Sequence, residues 1–302
     1  MAHLTKRGRP VAVVGALLLA ASAGGAAQQP AAQQPATQQS TRQQPAAQQP
    51  AGQPPADRGG EAGARGGRGQ GQGRGGAQPL NMDDFTGFTS IFDGTMKQWE
   101  GDPKFWRAEN GSLVGQSTAA NTITENTFVI WRGGEPGDFE LKVEFRMDST
   151  NSGIQFRSTR LPPGTQSGRG SVAGNWVLKG YQADIDFDNQ FTGMIYEERG
   201  RAFLARRGQL VYMRPEGGPP VVAGNLEMTP EELKGVIKQN DWNHVHLIAR
   251  GNTIINMVNG HVTAIVVDDD VKGRALKGLL GFQIHVGPPM KIEFRNIYMK
   301  KL

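Results

Sequence analysis

Cysteine is absent from all 302 residues. This excludes thiol nucleophiles, disulfide cross-links and Cys-ligated zinc, so stability must come from packing. Long apolar runs are also scarce. Val11 to Ala21 is the one such run, and it is too short to span a bilayer comfortably. Most of the chain has no excess of charge of one sign either. The formal net charge is +5, yet residues 1–79 hold 8 basic and 2 acidic side chains, and the other 223 residues hold 25 and 26, a balance of −1. Basicity belongs to the N-terminal stretch, which excludes a basic nucleic-acid-binding domain.

At the N-terminus, Lys6, Arg7 and Arg9 precede the apolar run, and Ala21-Ser22-Ala23 and Gly25-Ala26-Ala27 follow it. Residues 1–27 therefore read as a secretory signal, predicting export to the periplasm or the outside, with an uncleaved anchor as the alternative. Residues 28–79 are Gln/Pro/Ala-rich and then Gly/Arg-rich, with almost no large apolar side chain. Such a composition predicts a disordered linker with a reach of roughly 40 Å. Arg65-Gly66-Gly67-Arg68-Gly69 is like the RGG segments of nucleic-acid binders, but an exported chain seldom meets nucleic acid, and a solvated spacer is the simpler reading. One folded domain is expected over residues 80–302.

That domain alternates. In Phe139 to Met147, every second residue from Phe139 is apolar, while Glu140, Lys142, Glu144 and Arg146 take the other face, as in a half-buried antiparallel strand. His244 to Arg250, Thr253 to Val258 and His261 to Val267 predict three more strands, joined at Gly251-Asn252 and at Asn259-Gly260, a type I′ signal. Leu279 to His285 and Lys291 to Met299 predict the last two strands. Thr229, Pro230 and Glu232 form a capping-box pattern for one short helix to about Gln239. The expected fold is all-β, a jelly-roll β-sandwich with one short helix; a barrel gives a similar pattern.

Gly180 to Asp188 carries the most chemistry. Alternation puts Gln182, Asp184 and Asp186 on one face, a polar row that costs free energy if buried without partners and so is expected to border water, a ligand or a metal. Gln283 and His285 share a face of a later strand, and His285 suits a general base or a neutral metal ligand, against the simpler reading of a surface histidine. Gln155 and Arg157 are expected on one face, with Arg157 as a polar clamp or as the partner of one of these aspartates. Tyr181 and Tyr196 suit sugar stacking or proton donation, and ordinary packing equally well. For His244, His246 and His261 the reading is solvent-exposed or capping. Trp99, Trp106 and Trp242 read as core, and Arg295 as a tie between strands.

Several stretches, in order, are similar to the 3-keto-disaccharide hydrolase domain. They include Ile91-Phe92-Asp93-Gly94 with Trp99, Trp106 with Asn110-Gly111-Ser112-Leu113, and Asn151-Ser152-Gly153-Ile154 with Phe156-Arg157. Gly180-Tyr181, Thr192-Gly193-Met194-Ile195-Tyr196, Asp241-Trp242-Asn243, Asn259-Gly260, Gln283 with His285, and Phe294-Arg295-Asn296-Ile297 continue the series over nearly all of residues 86–302. The resemblance implies a concanavalin A-like lectin/glucanase sandwich that cleaves sugars oxidised to a ketone at carbon 3. A ketone there acidifies the carbon-2 proton, so a base can form an enolate, the carbon-1 oxygen can leave, and water can add to the enone. The enolate needs an electrophile, either Arg157 or a divalent metal held by Asp184 and His285; no organic cofactor is implied.

The chain departs from the family at the polar row. A glutamate is expected after the tyrosine and a glutamine two places later, whereas Gln182 and Asp184 stand there. Gln182 also occupies the nucleophile position of the E-x-D-x-E strand of β-glucanases. Same-face strand neighbours lie roughly 7 Å apart, against about 5–5.5 Å for a retaining carboxylate pair, so ordinary retaining hydrolysis is disfavoured. Three classes remain. The first is a 3-keto-glycoside hydrolase or lyase using His285, Asp184, Asp186 and Arg157, with Gln155, Tyr181, Gln182, Tyr196 and Gln283 on the substrate. The second is a carbohydrate-binding module without catalysis. The third is a structural domain binding calcium through Asp184, Asp186 and Asp188, or through Asp268-Asp269-Asp270, which reads more simply as a solvated turn.

Overall fold

Period-two alternation of apolar residues recurs through the domain, and each such stretch forms a strand with its apolar side chains turned to a shared core. A computed structural model describes residues 78–166 and 172–302; the expected signal segment and most of the expected linker lie outside the described residues. In chain order the strands are β1 (Thr89–Ser90), β2 (Trp99–Glu100), β3 (Trp106–Glu109), β4 (Ser112–Gln116), β5 (Thr127–Trp131), β6 (Phe139–Met147), β7 (Asn151–Arg160), β8 (Leu178–Asp186) and β9 (Ile195–Glu198). They continue as β10 (Ala202–Ala205), β11 (Gln209–Met213), β12 (Val221–Asn225), β13 (Asn243–Arg250), β14 (Thr253–Val258), β15 (His261–Asp268), β16 (Leu279–Ile284) and β17 (Lys291–Lys301), with helix α1 (Pro230–Gly235) before β13.

These strands make two sheets. One has the order β12-β11-β15-β14-β13-β6-β17-β4-β3 with β1 added beside β17; the other runs β10-β9-β8-β7-β16-β5-β2. Leu141, Val143 and Phe145 of the first sheet and Ile154, Tyr181 and Phe282 of the second meet in one core between them. Phe282 stacks on both Trp99, at 5.0 Å, and Phe294, at 4.2 Å between centroids. This is a β-sandwich.

Local signals hold where short-range chemistry decides them. Asn259 and Gly260 both have positive φ, 49° and 81°, as the β14–β15 hairpin requires. The capping box of α1 forms, with Thr229 and Glu232 bonded reciprocally. The helix stops at Gly235 rather than near Gln239, because the Asn243 side chain takes the backbone N–H and C=O of Lys238 and folds the chain into a turn.

The outer face of β6 is not the solvated one expected. Lys142 and Glu144 are buried there. Lys142 Nζ donates to the backbone oxygens of Met82 (3.1 Å) and Asp84 (2.5 Å), so residues 82–88 lie across this face, with Phe85 and Phe88 beside the ammonium. His246 is half-buried against Phe88 and bonds Glu140 at 2.9 Å, which corrects its solvent-exposed reading. Arg295 ties β17 to Glu144 of β6 at 2.7 Å, as its strand-tie reading requires. Trp242 is a half-exposed plate between the guanidinium groups of Arg146 (4.7 Å) and Arg295 (3.8 Å), not a core residue.

Candidate active site

On β8 the odd positions Tyr181, Ala183 and Ile185 enter the core, so Gln182 and Asp184 face outward, away from the other sheet. Antiparallel pairing with β7 sets Gln155 opposite Gln182 and Gly153 opposite Asp184. Gly153 is needed because the Gln182 side chain lies over it; a Cβ there would come within 2.4 Å of Gln182 Cδ. On β16, Leu280, Phe282 and Ile284 face the core, which turns Gln283 outward, beside Phe128 of β5.

The outward groups form a chain of hydrogen bonds. Ser158 Oγ donates to Gln155 Oε1 (2.6 Å), Gln155 Nε2 to Gln182 Oε1 (3.1 Å), and Gln182 Nε2 to Asp184 Oδ1 (2.6 Å). This row does not border open water as expected: Asp184 is 6 % exposed and Gln155 is fully buried. Its burial is tolerable because each polar group has a partner. Gln283 is the exception, fully buried with neither amide atom hydrogen-bonded. A buried unpaired amide costs about 1–3 kcal/mol and marks a place for a ligand or water.

Glu198 and Asn126 close over the face. Asn126, just before β5, accepts from the backbone N–H of Val286 (2.9 Å) and donates through Nδ2 to Glu198 Oε1 (3.3 Å). Glu198 belongs to β9, and three strands separate β9 from β5, so a contact between them means the face is concave and bridged across its width. An Arg199–Glu125 ion pair reinforces the bridge. Burial holds the Asp184 carboxyl well above the usual carboxylate range, opposed by the Gln182 amide and reinforced by the charges of Glu198 and Asp186. Neither Glu198 nor Asn126 was singled out by the sequence. Glu198 stands two residues beyond Tyr196, and the alternation that linked Gln182 to Asp184 would have found it.

His285 follows β16 and is half-buried. Its Nδ1 lies 2.7 Å from the carbonyl oxygen of Val286; a carbonyl only accepts, so Nδ1 carries the proton and Nε2 the lone pair in the neutral ring. Tyr196 stands opposite Gln182 and packs edge-on against Phe203 at 5.0 Å; Phe203 in turn stacks on Phe191 at 5.5 Å.

Three other candidates take their hydrogen bonds outside this hydrogen-bond chain. Arg157 does not share a face with Gln155. The β7–β8 register shifts between Phe156 and Thr159, Arg157 adopts φ 46°, and its buried side chain turns to Gly137 O (3.0 Å), Gly251 O (2.6 Å) and Asp138 Oδ1 (3.0 Å). It ties the β13–β14 turn to the opposite sheet, and its aspartate partner is not one of the row. Tyr181 is a core residue whose hydroxyl donates to Asp268 Oδ2 at 2.5 Å; burial, then the Asp268 charge, raises its pKa. Asp186 spends its carboxylate on the backbone N–H groups of Gln190, Phe191 and Thr192, closing the loop into β9.

Asp268 and Asp270 are buried rather than solvated. Arg201 bridges Asp268 (2.7 Å), Asp270 (3.2 Å) and Glu197 (2.7 Å) across the sandwich. The donor set does not suit the divalent cation expected at Asp184 and His285, nor the calcium alternative. Among the described residues no group of three His, Asp or Glu side chains is placed to hold a metal ion.

No curated protein matches the chain. Among solved structures it is similar to a candidate glycosyl hydrolase from Parabacteroides distasonis, at 19% identity over 71% of this chain and 99% of that one, with a TM-score of 0.43. It is also similar to the carbohydrate binding module CBM66 from Bacillus subtilis (14% identity, 67% and 95%, TM-score 0.40) and to a Bacillus subtilis protein of unknown function with a galectin-like fold (14%, 68% and 90%, 0.44). Residues 87–300 match a family profile spanning nearly all of the sandwich, and the chain belongs to the family of 3-keto-alpha-glucoside-1,2-lyase-like domains.

Proposed function

We propose that the protein cleaves glycosides bearing a ketone at carbon 3, by removing the carbon-2 proton and eliminating the carbon-1 oxygen. The supporting observation is the concave face itself: a buried acid that favours its proton, held by a chain of amides, beside the unpaired amide of Gln283. Gln283 Nε2 donates to the ketone oxygen as negative charge gathers there. His285 Nε2 takes the carbon-2 proton, and its electron pair forms the enolate. Because Gln182 donates to Oδ1 of Asp184, the acid proton sits on Oδ2 and passes to the departing oxygen as the carbon-1 bond breaks. Addition of water across the enone, with its proton to carbon 2 and its hydroxyl to carbon 1, completes hydrolysis. No step requires a metal. With the signal pattern of residues 1–27, this chemistry belongs outside the cytoplasm.

A binding-only reading is favoured by one observation, the half-buried Tyr196, Phe203 and Phe191 rings beside the row. The full chain, incubated with a 3-keto-glycoside and with its unoxidised parent, separates the two. Sugar release from the keto substrate alone, unaffected by a chelator, supports the enzyme; binding of either compound with turnover of neither leaves only a lectin. His285→Ala is expected to reduce turnover by about 10²–10⁴-fold with a nearly unchanged thermal melt, since the ring is half-buried at a strand end. A large fall in the melt would make His285 structural.

A further inference from the structure

An open cavity of about 350 Å³ adjoins the concave face, walled by residues 102–105, the segment entering β5 and the segment entering β8. Its volume is at the small end of ligand sites, enough for one ring rather than a chain. Asn126 forms the wall between this cavity and the acid row. It lines the cavity, and its two amide atoms are fixed by Val286 N–H and by Glu198. Trp176 also lines the cavity. It is half-exposed, packs on Phe128, Ile130 and Leu178, and its backbone oxygen accepts from Phe128 N–H at 2.9 Å. Phe128 stands opposite Gln283 in the sheet, so the indole lies one side chain from the unpaired amide.

The rest of the lining is mixed in the way a sugar ring requires. Phe105 and Ile123 present apolar surface, while Thr124 and Asn175 present exposed hydroxyl and amide groups around it. A pyranose has C–H faces that stack on an indole and a rim of hydroxyls that bond amides and alcohols. We propose that this cavity is the leaving-group subsite and holds the hexose released from carbon 1 of the substrate. The inference rests on the elimination reading for the words "leaving group"; the hexose site itself does not.

Two substrates that share the 3-keto-glucosyl ring, one with a methyl and one with a glucosyl leaving group, test it in the full chain. Trp176→Ala is expected to raise KM for the disaccharide about tenfold and leave KM for the methyl glycoside unchanged. Thr124→Trp fills the cavity from an exposed position and covers the case in which Trp176→Ala fails to fold; it should block the disaccharide and spare the methyl glycoside. Equal effects on both substrates, or normal disaccharide turnover by Thr124→Trp, would overturn the assignment. Calorimetric titration of the wild type with free glucose separates this inference from the functional reading. Without turnover of any substrate the elimination reading fails, whereas glucose binding that Thr124→Trp abolishes still supports the site, and absence of glucose binding overturns it.

Discussion

Asp184→Asn lowers turnover of a 3-keto-glycoside by about 10²–10⁴-fold, the range for loss of a general acid, and at the same time raises the melting temperature at neutral pH. The second effect follows from the sign of the pKa shift. Burial, with Glu198 and Asp186 nearby, lifts the folded carboxyl well above its ordinary value of 3.8. The folded protein therefore holds a proton that the unfolded chain releases. Stability from this group is fully present below the unfolded value and is lost as pH rises through the raised folded value. Asparagine cannot ionise and still places an N–H where the protonated acid had its O–H, so the variant escapes that loss. Each kcal/mol recovered shifts the melt by about 2–4 °C in a domain of this size. The gain should vanish near pH 4. A variant with an unchanged melt at both pH values would mean that Asp184 is ionised in the folded protein.

Arg157→Met has the opposite profile: a loss of roughly 2–4 kcal/mol in stability, with kcat of the folded fraction unchanged. The enclosed guanidinium donates to three backbone oxygens, those of Gly137, Gly251 and, at 3.5 Å, Ala275, and a hydrogen bond from a charged group contributes about 1.5–3 kcal/mol. Methionine fills the space without supplying a donor. The ion pair with Asp138 adds little, because that aspartate is 39% exposed. Urea unfolding measures the loss and single-substrate kinetics the activity. If kcat fell while the unfolding midpoint stayed in place, Arg157 would be the polar clamp that its place in the family resemblance suggested.

The contrast between these two residues shows what alternation can and cannot predict. Gln182, Asp184, Gln155 and Gln283 were legible because each sits on an uninterrupted stretch of strand, where period two fixes the face. Arg157 was misplaced by one non-glycine residue at positive φ, a break that no pattern of side chains announces. Asp186 belongs to the row by spacing, but the chain returns at Thr192 and takes its carboxylate for a loop. Asp268 and Asp270 looked like a solvated turn because their partner, Arg201, is 67 residues away from Asp268 in the chain. The Lys142 face looked exposed for the same reason, since residues 82–88 cover it from a distance in sequence. Hairpin and helix-cap chemistry, being local, was readable throughout.

The central claim is that the carbon-2 proton is removed on this concave face before the glycosidic bond breaks. A 3-keto-glycoside carrying deuterium at carbon 2, compared with its protiated form under single-turnover conditions, tests that claim most directly. A slower release of the leaving group from the deuterated substrate is predicted, and Asp184→Asn should retain exchange of the carbon-2 hydrogen with solvent while losing release. Equal rates for the two isotopologues, with no exchange into the recovered substrate, would contradict elimination and return the protein to ordinary glycoside hydrolysis or to sugar binding alone.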